Sequence, residues 1–236
     1  MFVISRIEQY KFSDCAAVFA ESERTLARYD NPDWVPEMTP FNHYFVETQF
    51  SNGIESYILS LKQKYKCRLS IDPSLPLNKQ TNCFCQALFT ASPEALQGLT
   101  REQQIEYFQH CLDFFLFEFP SVEILSAVVH FDERGSPHMH LNFLPLIRKE
   151  NSRGKIKTVF SSSDLFRGED FFTRYQDRFF DYMVERYPDW DLERKGEVHQ
   201  DHLSVREYKA IQDQIGQAKE ERDNALVEVE RLQSVI

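Results

Sequence analysis

The chain has 236 residues, 42% of them hydrophobic and 21 of them phenylalanine, which is enough apolar material for one substantial core. A formal net charge of −10 argues against a simple nucleic-acid binder, whose footprint is usually basic. No run approaches the roughly 18 apolar residues of a membrane span, and the N-terminus lacks a basic-then-apolar signal, so the expectation is a cytoplasmic protein without a membrane span whose five cysteines are reduced.

In chain order, residues 2–11 alternate as a strand, and residues 13–29 follow as a helix without Gly or Pro. Glu21 and Arg24 are three apart and share one face of that helix, either as a surface ion pair or as a functional couple. Residues 31–40 hold three prolines and read as a linker, and residues 42–46 as a short strand or turn. A helix is expected over 54–68, strands over 82–91 and 122–131 around a helix at 101–117, and helices over 161–166 and 169–187. Cys83 and Cys85, two apart, are expected on one strand face as core residues. This order predicts an α+β fold in which a central antiparallel sheet carries flanking helices.

Between those elements lies the densest chemistry of the chain. His130-Phe-Asp132-Glu133-Arg-Gly-Ser-Pro137-His138-Met-His140 places three histidines and two carboxylates within eleven residues. The apolar run 126–132 and the alternating run 138–146 predict neighbouring antiparallel strands joined by a short turn containing Gly135. Side chains two apart on a strand share a face, so His138 and His140 point together and His130 completes a three-imidazole cluster. Such a cluster leaves at least one coordination position open, the property that separates catalytic from structural metal. Ligand softness ranks Mn²⁺, Zn²⁺, Co²⁺ and Ni²⁺ above Mg²⁺ here.

Half of the acidic excess lies in residues 188–236, which carry a net −5. Basic stretches remain upstream: Lys62, Lys66 and Arg68 in one, and Arg148, Lys149, Arg153, Lys155 and Lys157 in another, either as solvated surface or as phosphate contacts. From Tyr208 through Ile211, Ile215 and Ala218 to Ile236, mostly apolar residues step by threes and fours as a heptad seam interrupted at Arg222. The expected division is therefore a domain over 1–200 and a helical extension over 201–236, the start of a coiled coil that continues beyond this N-terminal portion and offers a route to a homodimer.

His130-x-Asp132-Glu133, a short turn and Pro137-His138-x-His140 resemble the signature of the MobV (Pre/Mob) plasmid mobilisation relaxases. The opening residues 4–11, the segment Glu21-Ser-Glu-Arg24, Asn42 and the stretch 191–196 extend the likeness over roughly residues 1–210. The turn at Arg134-Gly-Ser136 is one residue longer than the family's common form. Where that family commonly carries its nucleophilic histidine, three residues before the arginine matched by Arg24, this chain has Glu21.

The resemblance implies an HUH-relaxase-like fold and metal-dependent nicking and transfer of single-stranded or hairpin DNA at a transfer origin, through a covalent 5′-phosphoryl adduct. It implies His130, His138 and His140 as metal ligands, Mn²⁺ foremost, with Arg24 clamping phosphate and Glu133 taking or orienting the nucleophile's proton. Asp132 and Asn42 take supporting places, Asp132 by orienting an imidazole or main-chain group. The nucleophile is then Glu21, or one of Tyr10, Tyr29, His43 and Tyr44. Two further readings differ in class: a DNA-binding regulator with a degenerate site, and a phosphodiester hydrolase using metal-bound water.

Overall fold

In the computed structural model of the chain, which describes residues 1–26, 28–29, 31–150 and 154–194, strand β1 (Val3–Lys11) leads into helix α1 (Phe12–Ser22). A 3-10 helix (Pro36–Phe41), β2 (His43–Val46), α2 (Ile54–Tyr65), a single 3-10 turn (Leu77–Lys79), β3 (Asn82–Ala91), α3 (Pro93–Leu96) and α4 (Arg101–Glu118) follow. Then come β4 (Glu123–His130), β5 (His138–Leu144), β6 (Leu146–Glu150), β7 (Ile156–Phe160), α5 (Ser162–Leu165) and α6 (Phe171–Arg186). The described part is α+β, as expected. Among the described residues no helix is long and apolar enough to cross a membrane.

Five strands form one antiparallel sheet in the order β1-β3-β5-β4-β2, and β6 and β7 pair separately as a ribbon. The alternation in β1 reflects packing on one face only: Val3, Ser5 and Ile7 are buried while Ile4, Arg6 and Glu8 are exposed. One face of the sheet packs Ala87, Phe89, Val129, Leu141 and Phe143 against α4 and α6. Helix α4 starts at a capping box, Thr100 accepting from the Gln103 amide while Gln103 returns the bond to the Thr100 amide. Helix α6 presents Tyr175, Phe179 and Met183, four apart, to the same core. Phe115 ties this layer together, its ring centroid 4.9 Å from both Phe119 and Phe143 and 6.4 Å from Phe89.

The opposite face is divided by polarity. Near the β6–β7 ribbon it is apolar: Leu125, Leu144, Leu146 and Phe160 pack under Phe19 of α1 and Ile54, Ile58 and Leu61 of α2. At the other end it carries Ser126, Asn142 and the histidines, beneath the C-terminus of α1. Helix α1 thus lies on apolar surface for most of its length and delivers its last turn to polar surface.

Several sequence expectations shift. The first helix stops at Ser22, not at residue 29, so Arg24 lies beyond it at φ +52, a left-handed position unusual outside glycine. The supposed linker 31–40 is folded: it contains the 3-10 helix, and Trp34 bridges to Glu133 in the strand connection. The basic stretch after β5 is built into the β6–β7 ribbon. Cys83 and Cys85 are both buried, but an irregularity opposite Tyr10 and Lys11 turns them to opposite layers. The heptad segment and Arg153 lie outside the described residues.

Candidate metal centre

β4 and β5 pair in antiparallel register with His130 opposite His138 and Val128 opposite His140. Residues that face one another, and residues two apart on one strand, project from the same side of a sheet. The three imidazoles therefore converge, with centroids 4.7 to 5.3 Å apart and one nitrogen from each within 4.8 Å of the others. His130 is buried; His138 and His140 keep partial access to solvent.

Hydrogen bonds assign the ring nitrogens. His130 Nε2 donates to the carbonyl of Ser22 at 2.7 Å, and His138 Nδ1 donates to the carbonyl of Ser136 at 3.3 Å. That leaves the lone pairs on His130 Nδ1 and His138 Nε2, which lie 3.8 and 3.9 Å from the same Glu133 Oε1. His140 Nδ1 is buried with no hydrogen-bond partner. Burial and the neighbouring His130 lower the pKa of His138 to about 4, and burial with both neighbouring histidines holds His140 well below its usual range. Two histidines held neutral by burial and an orphaned buried nitrogen in a cluster of three imidazoles are what a bound cation requires, so the residues fit a divalent metal.

Arg24 organises the charged groups beside the cluster. Its Nε reaches Asp132 Oδ2 at 3.0 Å, and its Nη2 reaches Asp132 Oδ1 at 3.2 Å, Glu133 Oε1 at 2.5 Å and His130 Nδ1 at 2.9 Å. Its Nη1 donates to the carbonyl of Glu21 at 3.1 Å. Burial works to raise the pKa of Glu133, but His130, His138 and Arg24 outweigh it and keep the carboxylate ionised well below its usual range. Asp132 is lowered likewise, burial being overcome by Arg24 and Thr39.

The other expected site residues fall into three places. Asp132 is fully buried and also accepts from Thr39 Oγ1 at 2.8 Å and Trp34 Nε1 at 3.2 Å; its partners are these side chains and Arg24, and no imidazole is among them. Asn42 Oδ1 accepts from the Phe131 amide at 2.8 Å, bracing the strand that ends in His130. Glu21 is exposed on the last turn of α1, one residue before the carbonyl that holds His130. Of the alternative nucleophiles, Tyr29 lies under the Arg24 guanidinium at 5.2 Å, and Tyr44 stands opposite Val128 on the histidine side. His43 faces the other side, and Tyr10 pairs with Phe84, six residues along β3 from Thr90, which faces His138. That separation is roughly 20 Å.

The basic residues converge elsewhere. Lys62 lies on α2, Lys66 and Arg68 just past its end, and Arg148, Lys149, Lys155 and Lys157 on or beside the β6–β7 ribbon. β5 separates that ribbon from His138 by seven residues, roughly 20 Å of strand. Trp34 and Thr39 went unrecognised in the sequence, because proline density resembles a linker until the tertiary bonds to Asp132 are seen.

The sequence profile of the plasmid recombination enzymes (Mob_Pre) matches residues 1–210. A plasmid recombination enzyme of Bacillus thuringiensis is 25% identical over 213 residues, covering 90% of this chain and 43% of the relative. A plasmid recombination enzyme type 1 of Staphylococcus aureus is 26% identical over 204 residues, covering 84% and 45%. The chain thus spans less than half the length of these relatives. Among solved structures, a manganese-bound crystal structure of the MobM relaxase domain with plasmid pMV158 oriT DNA superposes with a TM-score of 0.69 at 22% identity, covering 89% of this chain and 99% of that one.

Proposed function

Because the chain belongs to the Mob_Pre family of plasmid recombination enzymes, we propose that it nicks and transfers single-stranded DNA at a plasmid transfer origin through a covalent 5′-phosphoryl adduct. The observation that carries this reading is the three-imidazole cluster with the unpartnered His140 Nδ1, set against Arg24, Glu133 and the end of α1. The similar MobM domain is bound to manganese and to oriT DNA, which supports the same cofactor and substrate class here.

His130, His138 and His140 hold the metal. A divalent cation there neutralises charge on a scissile phosphate and favours in-line attack. Glu21 is the nucleophile: one carboxylate oxygen bonds to phosphorus as the bond to O3′ breaks, and O3′ leaves with the electron pair and takes a proton from water. The products are a free 3′-hydroxyl and an acyl phosphate on Glu21, and an incoming 3′-hydroxyl reverses the reaction. A carboxylate nucleophile needs no base, so Glu133 serves by holding the Arg24 guanidinium, which clamps a non-bridging oxygen. Asp132 and Asn42 support Arg24 and the His130 strand.

Lys62, Lys66, Arg68 and the ribbon cations Arg148, Lys149, Lys155 and Lys157, with Arg153, contact DNA flanking the nick rather than the scissile phosphate, given their distance from the histidines. Catalysis belongs to residues 1–200. The heptad spacing of residues 201–236 suits a coiled-coil homodimer, and action on plasmid DNA is a cytoplasmic role.

The test is a denaturing gel of end-labelled single strands carrying the origin, with Mn²⁺ and either wild type or Glu21→Ala. A 3′ fragment that migrates with wild-type protein and not with the variant is expected. An adduct that survives Glu21→Ala moves the nucleophile to Tyr29 or Tyr44. Cleavage with no adduct overturns strand transfer in favour of hydrolysis.

A further inference from the structure

His130 has one lone pair to give, and Arg24 already holds it. The carbonyl of Ser22 can only accept, so the bond at 2.7 Å places the ring proton on Nε2. A guanidinium can only donate, so the contact at 2.9 Å between Arg24 Nη2 and His130 Nδ1 uses the remaining lone pair. Two independent partners therefore agree on the tautomer, and they leave Nδ1 as the one atom through which His130 can bind a metal. An imidazole lone pair lies in the ring plane and serves one strong acceptor contact at a time.

We propose that Arg24 and the divalent cation compete for His130 Nδ1, so that metal loading releases the guanidinium from the histidine and delivers it to the DNA phosphate. This rests on the reading of the three histidines as a metal site. The exchange costs little on the arginine side. Nη2 carries two protons but faces three acceptors, Asp132 Oδ1, Glu133 Oε1 and His130 Nδ1, so giving up the imidazole strands neither proton before a phosphate oxygen takes the place of one carboxylate. Nε stays on Asp132, which works as a pivot fixed by Thr39 and Trp34. Arg24 is then a phosphate clamp that is armed by the metal, which keeps the protein from gripping a scissile phosphate before the metal is seated.

The test is Mn²⁺ binding to the full chain without DNA, by calorimetry and by electron paramagnetic resonance, for wild type, Arg24→Lys and Arg24→Gln. Lysine keeps the charge beside Asp132 but offers no second nitrogen to reach His130 while bound there. Competition predicts that both variants bind Mn²⁺ tenfold or more tightly than wild type. Tighter binding by the glutamine variant alone reduces the effect to simple charge repulsion, and weaker binding by both makes Arg24 a brace of the site; either result overturns the proposal. In case a variant fails to fold, wild-type protein labelled with 15N-arginine is titrated with diamagnetic Zn²⁺. The Arg24 Nη2 resonances are expected to change in shift as the imidazole contact is lost, still hydrogen-bonded to the carboxylates, while Nε stays where it was, and unchanged Nη2 signals at full occupancy overturn the proposal. Because no DNA is present, its failure is separate from failure to nick.

Discussion

Arg24 and Asp132, 108 positions apart in sequence, form a two-point ion pair in which neither side chain is more than 1% exposed. The pair joins the end of α1 to the connection after β4, and Asp132 also gathers Thr39 and Trp34 from the proline-rich segment. Removing one partner strands a buried charge. Asp132→Ala is expected to cost about 3–5 kcal/mol, the range for breaking a buried pair from one side. Urea denaturation checks this, and a loss below about 1 kcal/mol would show that water reaches Arg24 in solution.

Metal binding should appear as stability. A ligand bound only by the folded state at a hundred times its dissociation constant adds about 2.7 kcal/mol, so Mn²⁺ should raise the melting temperature and chelation should reverse the rise. His140→Ala is expected to abolish the Mn²⁺-dependent increment. An equal increment in the variant would place the cation elsewhere.

Glu23 gives a pH signature. Its carboxylate accepts from Thr48 Oγ1 at 3.0 Å and from Ser126 Oγ at 2.5 Å. Burial raises its pKa above the ordinary carboxylate value, despite the opposing effect of those hydrogen bonds. A raised folded pKa makes the stabilising contribution full below the unfolded value of about 4.3 and progressively lost as pH rises through the folded one. Glu23→Gln should therefore gain stability relative to wild type between pH 4 and 7, read as a widening difference in melting temperature. A difference that narrows with rising pH would mean that the hydrogen bonds dominate.

On the ribbon, Lys149 is engaged by Asp164 at 2.7 Å, whereas Arg148 and Lys157 are exposed cations projecting from β6 and β7. Replacing Arg148 and Lys157 together by alanine should lower affinity for single strands and reduce the slope of log affinity against log salt by about 1.4, roughly 0.7 for each lost contact. Fluorescence anisotropy across a salt series measures it, and an unchanged slope would remove these two residues from the interface.

Periodicity alone located nearly every strand and helix of the sheet and its flanks, because apolar residues at spacings of two and of 3.6 report local geometry and burial together. It likewise brought His130, His138 and His140 to one face, since side-chain direction on paired strands follows from register. What no local pattern holds is how segments distant in sequence meet. The end of α1 at Ser22, the left-handed turn at Arg24, the folding of 31–40 onto Asp132 and the Ser22 bond that sets the His130 tautomer all depend on partners about a hundred residues away. So does the separation of the basic ribbon from the histidines, which are neighbours along the chain but stand at opposite ends of β5. Residue types and their spacing determined that three imidazoles converge; only the packing of α1 and the proline segment against the sheet decided that Ser22 holds His130 Nε2 and that Arg24 reaches its Nδ1.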